Sequence, residues 1–61
     1  MEIWIVLQPD NDILGVFETL SQAKRCAKAR ENFWGWAELW RIGSHKAMID
    51  RVDDYTLLDK G

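Results

Sequence analysis

Two stretches of this chain carry large apolar side chains on both parities of a β-strand, and this limits the open folds more than any other feature. In Ile3-Trp4-Ile5-Val6-Leu7, Trp4 and Val6 stand opposite Ile3, Ile5 and Leu7. In Trp36-Ala37-Glu38-Leu39-Trp40-Arg41-Ile42, Trp36, Glu38, Trp40 and Ile42 stand opposite Ala37, Leu39 and Arg41. Successive side chains of a strand alternate between faces, so a sheet built on these segments is apolar on both sides. The chain has 61 residues. That is one domain, burying only about 60% of the surface its unfolded chain exposes.

The remaining segments assign themselves around these strands. Gln8-Pro9-Asp10-Asn11-Asp12 is turn chemistry, because Pro presets φ and Asx side chains bond the local backbone. Ile13–Phe17 is then the second strand of an antiparallel hairpin. Thr19-Leu20-Ser21-Gln22 is a capping box, Thr19 at N-cap and Gln22 at N3. It opens a helix expected over Leu20–Glu31, stopped near Asn32, with Gly35 available for a positive φ. Leu20, Ala23, Cys26, Ala27 and the stem of Arg30 share one arc of that helix. The stripe is mostly small, so the helix sits close to the sheet and the sheet supplies the bulk. Gly43–Lys46 is a loop, and Ala47–Val52 a weaker strand with mixed faces. Asp53-Asp54 is a further turn. Tyr55–Leu58 is compatible with a short fifth strand, a packed tail or disorder.

The expected fold class is therefore α+β: one small domain over residues 1–61, an antiparallel sheet of about four strands with one helix on one face, in the order β-β-α-β-β. Residues 1–52 form the folded core and 53–61 a tail. One helix covers one face. Leaving the other bare exposes an apolar patch of several hundred Å², which small monomers rarely carry. The tail, a second copy or a partner must cover it.

Composition narrows the function classes. Lys plus Arg is 8 and Asp plus Glu 10, a net charge of −2, whereas nucleic-acid-binding domains are usually basic. The single cysteine, Cys26, forms no internal disulfide, and a small secreted domain normally leans on disulfides. The Met-Glu start lacks the basic flank of a signal peptide, and no apolar run approaches the roughly 20 residues of a membrane span. A cytoplasmic protein without membrane association is expected. Basic residues concentrate in Lys24, Arg25, Lys28 and Arg30, against Glu31, which reads first as a solvated helix face.

No arrangement for catalysis stands out. Cys26 with the lone His45 could form a nucleophile–base pair, but Cys26 falls on the inward helical stripe, where a free cysteine is an inert small hydrophobe. Asp10-Asn11-Asp12 and the carboxylates Asp50, Asp53, Asp54 and Asp59 lack the spacing of a calcium loop. The glycines are isolated, so no phosphate-cradling loop exists. The expectation is a non-enzyme without cofactor or metal. Trp36, Trp40, Arg41, Lys46 and Arg51 could offer a stacking surface to nucleic acid, but Glu38 sits among them. Tryptophan is the residue in surplus, 4 of 61, and Trp, Tyr, Met and Arg are the types enriched at protein interfaces. Trp4 is a candidate core filler over Ala23 and Ala27. Trp34, Trp36, Trp40 and Arg41 are the candidate partner-binding residues, and Lys24, Arg25 and Lys28 a second, basic contact face.

The run Gly15-Val16-Phe17, the capped helix Thr19-Leu20-x-x-Ala23 and the Trp-bearing strand that follows resemble a loose group of short proteins abundant in phage genomes. The Thr-Leu-x-x-Ala-x-x-x-Ala helix followed by a strand also resembles a small phage-encoded inhibitor of host RNA polymerase, which works by occluding an enzyme surface. A further likeness, to the arm-binding domain of phage integrases, is one of a small sheet with one helix, without that domain's basic strands. The resemblance implies a phage-type accessory protein that binds and modulates or inhibits a host or phage protein. The alternatives are a homo-oligomeric assembly module, a homodimer in its simplest form, and a nucleic-acid-binding module.

Overall fold

A computed structural model describes residues 1–60. Four antiparallel strands, β1 (Glu2–Gln8), β2 (Asp12–Phe17), β3 (Trp36–Ile42) and β4 (Lys46–Asp53), form one sheet in the order β2-β1-β3-β4. Helix α1 (Leu20–Ala29) joins the two hairpins, and a helical turn, α2 (Asp54–Leu57), follows β4. The expected α+β class and strand set are present.

Local chemistry explains the punctuation. Asp10 and Asn11 both take left-handed backbone, φ 68° and 56°, which Asx residues tolerate best. The Thr19 hydroxyl accepts the Gln22 N–H at 3.2 Å, and Gln22 Oε1 accepts the Thr19 N–H at 3.2 Å. This is the reciprocal box that starts α1. The helix ends two residues earlier than its pattern suggests. Arg30 is the C-cap with extended φ and ψ, and Asn32 takes φ 59°. That reversal is needed to return Phe33 to the core, where it is buried. Arg30 therefore does not pack inward. It is exposed, and its Nε donates to Gln8 Oε1 at 2.6 Å.

Gly35 does something other than supply a positive φ. A Cβ at this position would lie 1.7 Å from the Leu7 carbonyl oxygen. The chain entering β3 presses against the backbone of β1, and only a residue without a side chain fits there.

Register assigns each side chain to a face. Trp4 pairs with Phe17 and Leu39, and Val6 with Gly15, Ala37 and, beyond it, Val52. These face α1. The core is Val6, Ala23, Ala27, Phe33, Ala37 and Leu57, with Trp4, Leu14, Phe17, Leu20, Cys26, Val52 and Leu58 packed against it. Trp4 thus fills space beside the alanines of α1. Each edge strand carries one irregularity, opposite Val6–Leu7 in β2 and opposite Leu39–Trp40 in β4. Bulges of this kind twist an edge away from pairing with another chain.

The tail is neither a fifth strand nor a loose end. Asp53 caps α2, accepting the Thr56 N–H at 3.0 Å, and Leu57 is completely buried against the alanines of α1. Asp54–Leu57 extends the core past residue 52. Alternation could not reveal this, because a four-residue turn has no period to read. Gly61, the last residue of the expected tail, lies outside the described residues. Just past α2, Asp59 takes φ 54°, where glycine is usual. Asp is among the residues that tolerate this backbone, and its carboxylate pairs with Lys24 Nζ at 2.9 Å and with Lys28 Nζ.

Those contacts make Asp59 a pH-sensitive latch. Hydrogen bonds from Lys28 and then Lys24 hold its pKa down at about 2, against 3.8 for a free side chain. A carboxyl more acidic in the folded state contributes stability that is fully present above the unfolded pKa and is lost as pH falls through the folded value. The expected window is pH 4 down to 2. Denaturant unfolding at pH 5 and pH 2.5 checks this: wild type loses more stability between the two than Asp59→Asn, and added salt shrinks the difference. Equal losses contradict the latch.

Candidate functional site

Both helices lie on one side of the sheet, so the tail does not cover the other. On that second face β1 contributes Ile3, Ile5 and Leu7, which oppose Trp40, Glu38 and Trp36 of β3 in that order. β2 adds Val16 beside Ile5 and Ile13 beside Leu7. β4 adds Met48 beside Trp40 and Arg51 beside Glu38. Val16 and Met48 are 53% and 49% exposed, and Ile13 more so. This face is largely apolar, with Leu7 only 6% exposed within it and the Glu38 carboxylate and Arg51 side by side near its middle.

That carboxylate organises the aromatics. Trp36 Nε1 donates to Glu38 Oε2 at 2.8 Å, and Trp40 Nε1 donates to Glu38 Oε1 at 2.9 Å. Positions 36, 38 and 40 fall on one side of β3, so the indoles flank the carboxylate along the strand and one side chain pins both. The Arg51 guanidinium lies over the Trp36 ring, 4.9 Å from its centroid, a cation–π geometry. It makes no ion pair with Glu38. Among the described residues the ion pairs are Lys24–Asp59, Lys28–Asp59 and Arg41–Glu2.

The candidate contact residues divide accordingly. Trp36 and Trp40 come together on the open face. Trp34 is 64% exposed, in the connection before β3. Arg41 points to the opposite face from Trp36 and Trp40, and its Nη2 donates to Glu2 at 3.0 Å. On α1, Lys24 and Lys28 are held by Asp59, while Arg25 borders a shallow recess with Phe17, Gln22, Cys26 and Ala29. The basic helix face is therefore partly neutralised within the chain. Cys26 packs against the core, and His45 is exposed in the turn between β3 and β4. Among the described residues no three His, Cys, Asp or Glu side chains gather as a metal site requires.

Glu38 is the residue that sequence reasoning placed only as an obstacle to phosphate. Its position two residues from each Trp was a usable signal, because an indole N–H seeks an acceptor and strand neighbours at i±2 share a face. Compared with family models, with curated proteins and with solved structures, the chain matches none. No helix among the described residues is long and apolar enough to cross a membrane.

Proposed function

We propose that this chain is a non-catalytic protein-binding module whose uncovered sheet face docks on, and occludes, a surface of another protein. The observation that carries the reading is the Trp36–Glu38–Trp40 arrangement. Two large aromatics lie on an apolar face with their rotamers held by a shared acceptor. Ordering a free side chain on binding costs about 0.5–1.5 kcal/mol, and here that ordering precedes binding. Aromatic anchors in such positions are the usual hot spots of an interface. In the setting that the sequence resemblance implies, the protein is a phage-type accessory factor acting in the bacterial cytoplasm, and its target is a host or phage protein.

Affinity capture from bacterial lysate tests this. A stoichiometric partner is expected with wild type. Trp36→Ala and Trp40→Ala should each weaken its binding by about 2 kcal/mol or more, while Arg25→Ala on α1 leaves it unchanged. No stoichiometric partner, or equal capture by wild type and the Trp variants, contradicts the reading. Self-association through the same face is the runner-up, and light scattering at micromolar concentration separates the two.

A further inference from the structure

The open face holds one half-buried carboxylate, Glu38, and among the described residues no cation forms an ion pair with it. Both oxygens of Glu38 accept indole N–H bonds, but indoles are neutral donors. Arg51, its cross-strand neighbour, stacks on Trp36 instead. Covering the face with apolar groups alone would strip water from an unpaired anion, which is strongly unfavourable. An occupant that brings a cation to this spot avoids that cost.

A second copy of the chain brings it poorly. Glu38 and Ile5 are paired across β1 and β3, the two central strands, so Glu38 lies within half an inter-strand spacing of the centre of the face, about 2.4 Å. Any two-fold axis running between two stacked faces and crossing that centre returns Glu38 to within about 5 Å of its own copy in projection. Like charges then meet in a drying interface, and of these axes only one running across the strands also brings the second copy's Arg51 to about 5 Å in projection. An axis shifted to run between β3 and β4 does set Glu38 against the second copy's Arg51, but it covers two strands and leaves β1 and β2 bare. Nucleic acid fits no better, because its phosphates would meet the same carboxylate.

We propose that the face receives an arginine side chain of a partner protein, flanked by apolar residues, with the guanidinium seated on Glu38 between Trp36 and Trp40. This deepens the protein-binding reading above and rests on it. A carboxylate keeps lone pairs beyond the two that the indoles occupy, and a planar guanidinium forks onto it while stacking on aromatic rings. Lysine offers a point charge without the fork.

The test is selection of a random-peptide display library on the immobilised protein, with wild type and Glu38→Gln compared. Far-ultraviolet circular dichroism through a urea titration confirms that the variant is folded. Wild type is expected to enrich peptides with an arginine among apolar residues, and Glu38→Gln to lose the arginine preference. A second measurement needs no variant protein. Replacing arginine by citrulline in an enriched peptide, which keeps the shape and removes the charge, should weaken binding to wild type roughly thirtyfold or more. Enriched peptides that are apolar without a cation, or a citrulline peptide that binds equally well, overturn the arginine site while leaving a protein-binding face standing. No enrichment at all, a dimer that buries Trp36 and Trp40, or a preference for oligonucleotides overturns both.

Discussion

Replacing Gly35 by alanine is expected to leave the chain without a cooperative unfolding transition at 25 °C. The added methyl would sit 1.7 Å from the Leu7 carbonyl oxygen and 2.7 Å from its carbon. Both are backbone atoms of a central strand, so no side-chain rotation relieves the overlap. β1 and β3 must separate where Leu7 pairs with Trp36. Overpacking costs about 1–3 kcal/mol where the surroundings yield, and more where they do not. A domain of this length is stable by only about 3–9 kcal/mol. The contrast is Asn32→Gly: Asn32 is exposed at φ 59°, which glycine adopts freely, so stability should stay within about 0.5 kcal/mol. Far-ultraviolet circular dichroism through a urea titration reads both. A Gly35→Ala protein that unfolds at the wild-type midpoint contradicts the close approach of the two strands.

Leu57→Ala is expected to cost about 2–5 kcal/mol. Leu57 and Val6 are the largest completely buried side chains of the protein. Leu57 sits over Ala23 and Ala27, whose small side chains cannot reach across the space its loss would leave. The cost is a large share of the stability available, so the urea midpoint should fall towards zero. Deleting residues 53–61 should act similarly, because it removes Leu57 together with the Asp59 latch on α1. A shift below about 1 kcal/mol for Leu57→Ala would mean that the tail does not complete the core.

The strands were legible because their alternation is strong: the parity of Ile3–Leu7 and of Trp36–Ile42 already separates the residues that face α1 from those that do not. The start of α1 was legible because Thr19 and Gln22 satisfy each other's backbone donors locally. What escaped depends on non-local contact. Nothing in the neighbourhood of Gly35 signals that Leu7, 28 positions earlier, presses on it. Phe33 enters the core only because α1 stops at Ala29, and Leu57 because four residues after Asp53 form a turn on α1. At the candidate site, the face shared by Trp36 and Trp40 followed from parity. The same parity separates Arg41 from them, and only residue type groups it with the two tryptophans. The engagement of Lys24 and Lys28 by Asp59 spans more than 30 residues and had no local signature.

In the proposed function, Trp36 and Trp40, held by Glu38, form the surface on which a partner protein lands. The most direct measurement follows the four indole N–H resonances in a ¹⁵N-labelled sample titrated with an arginine-bearing peptide enriched on the wild-type protein. The two signals that shift in Glu38→Gln identify Trp36 and Trp40. These two are expected to move and saturate with the peptide while the Trp4 signal, on the helix side, stays in place. Perturbations centred on Trp4 and the exposed face of α1, with Trp36 and Trp40 unmoved, would contradict it.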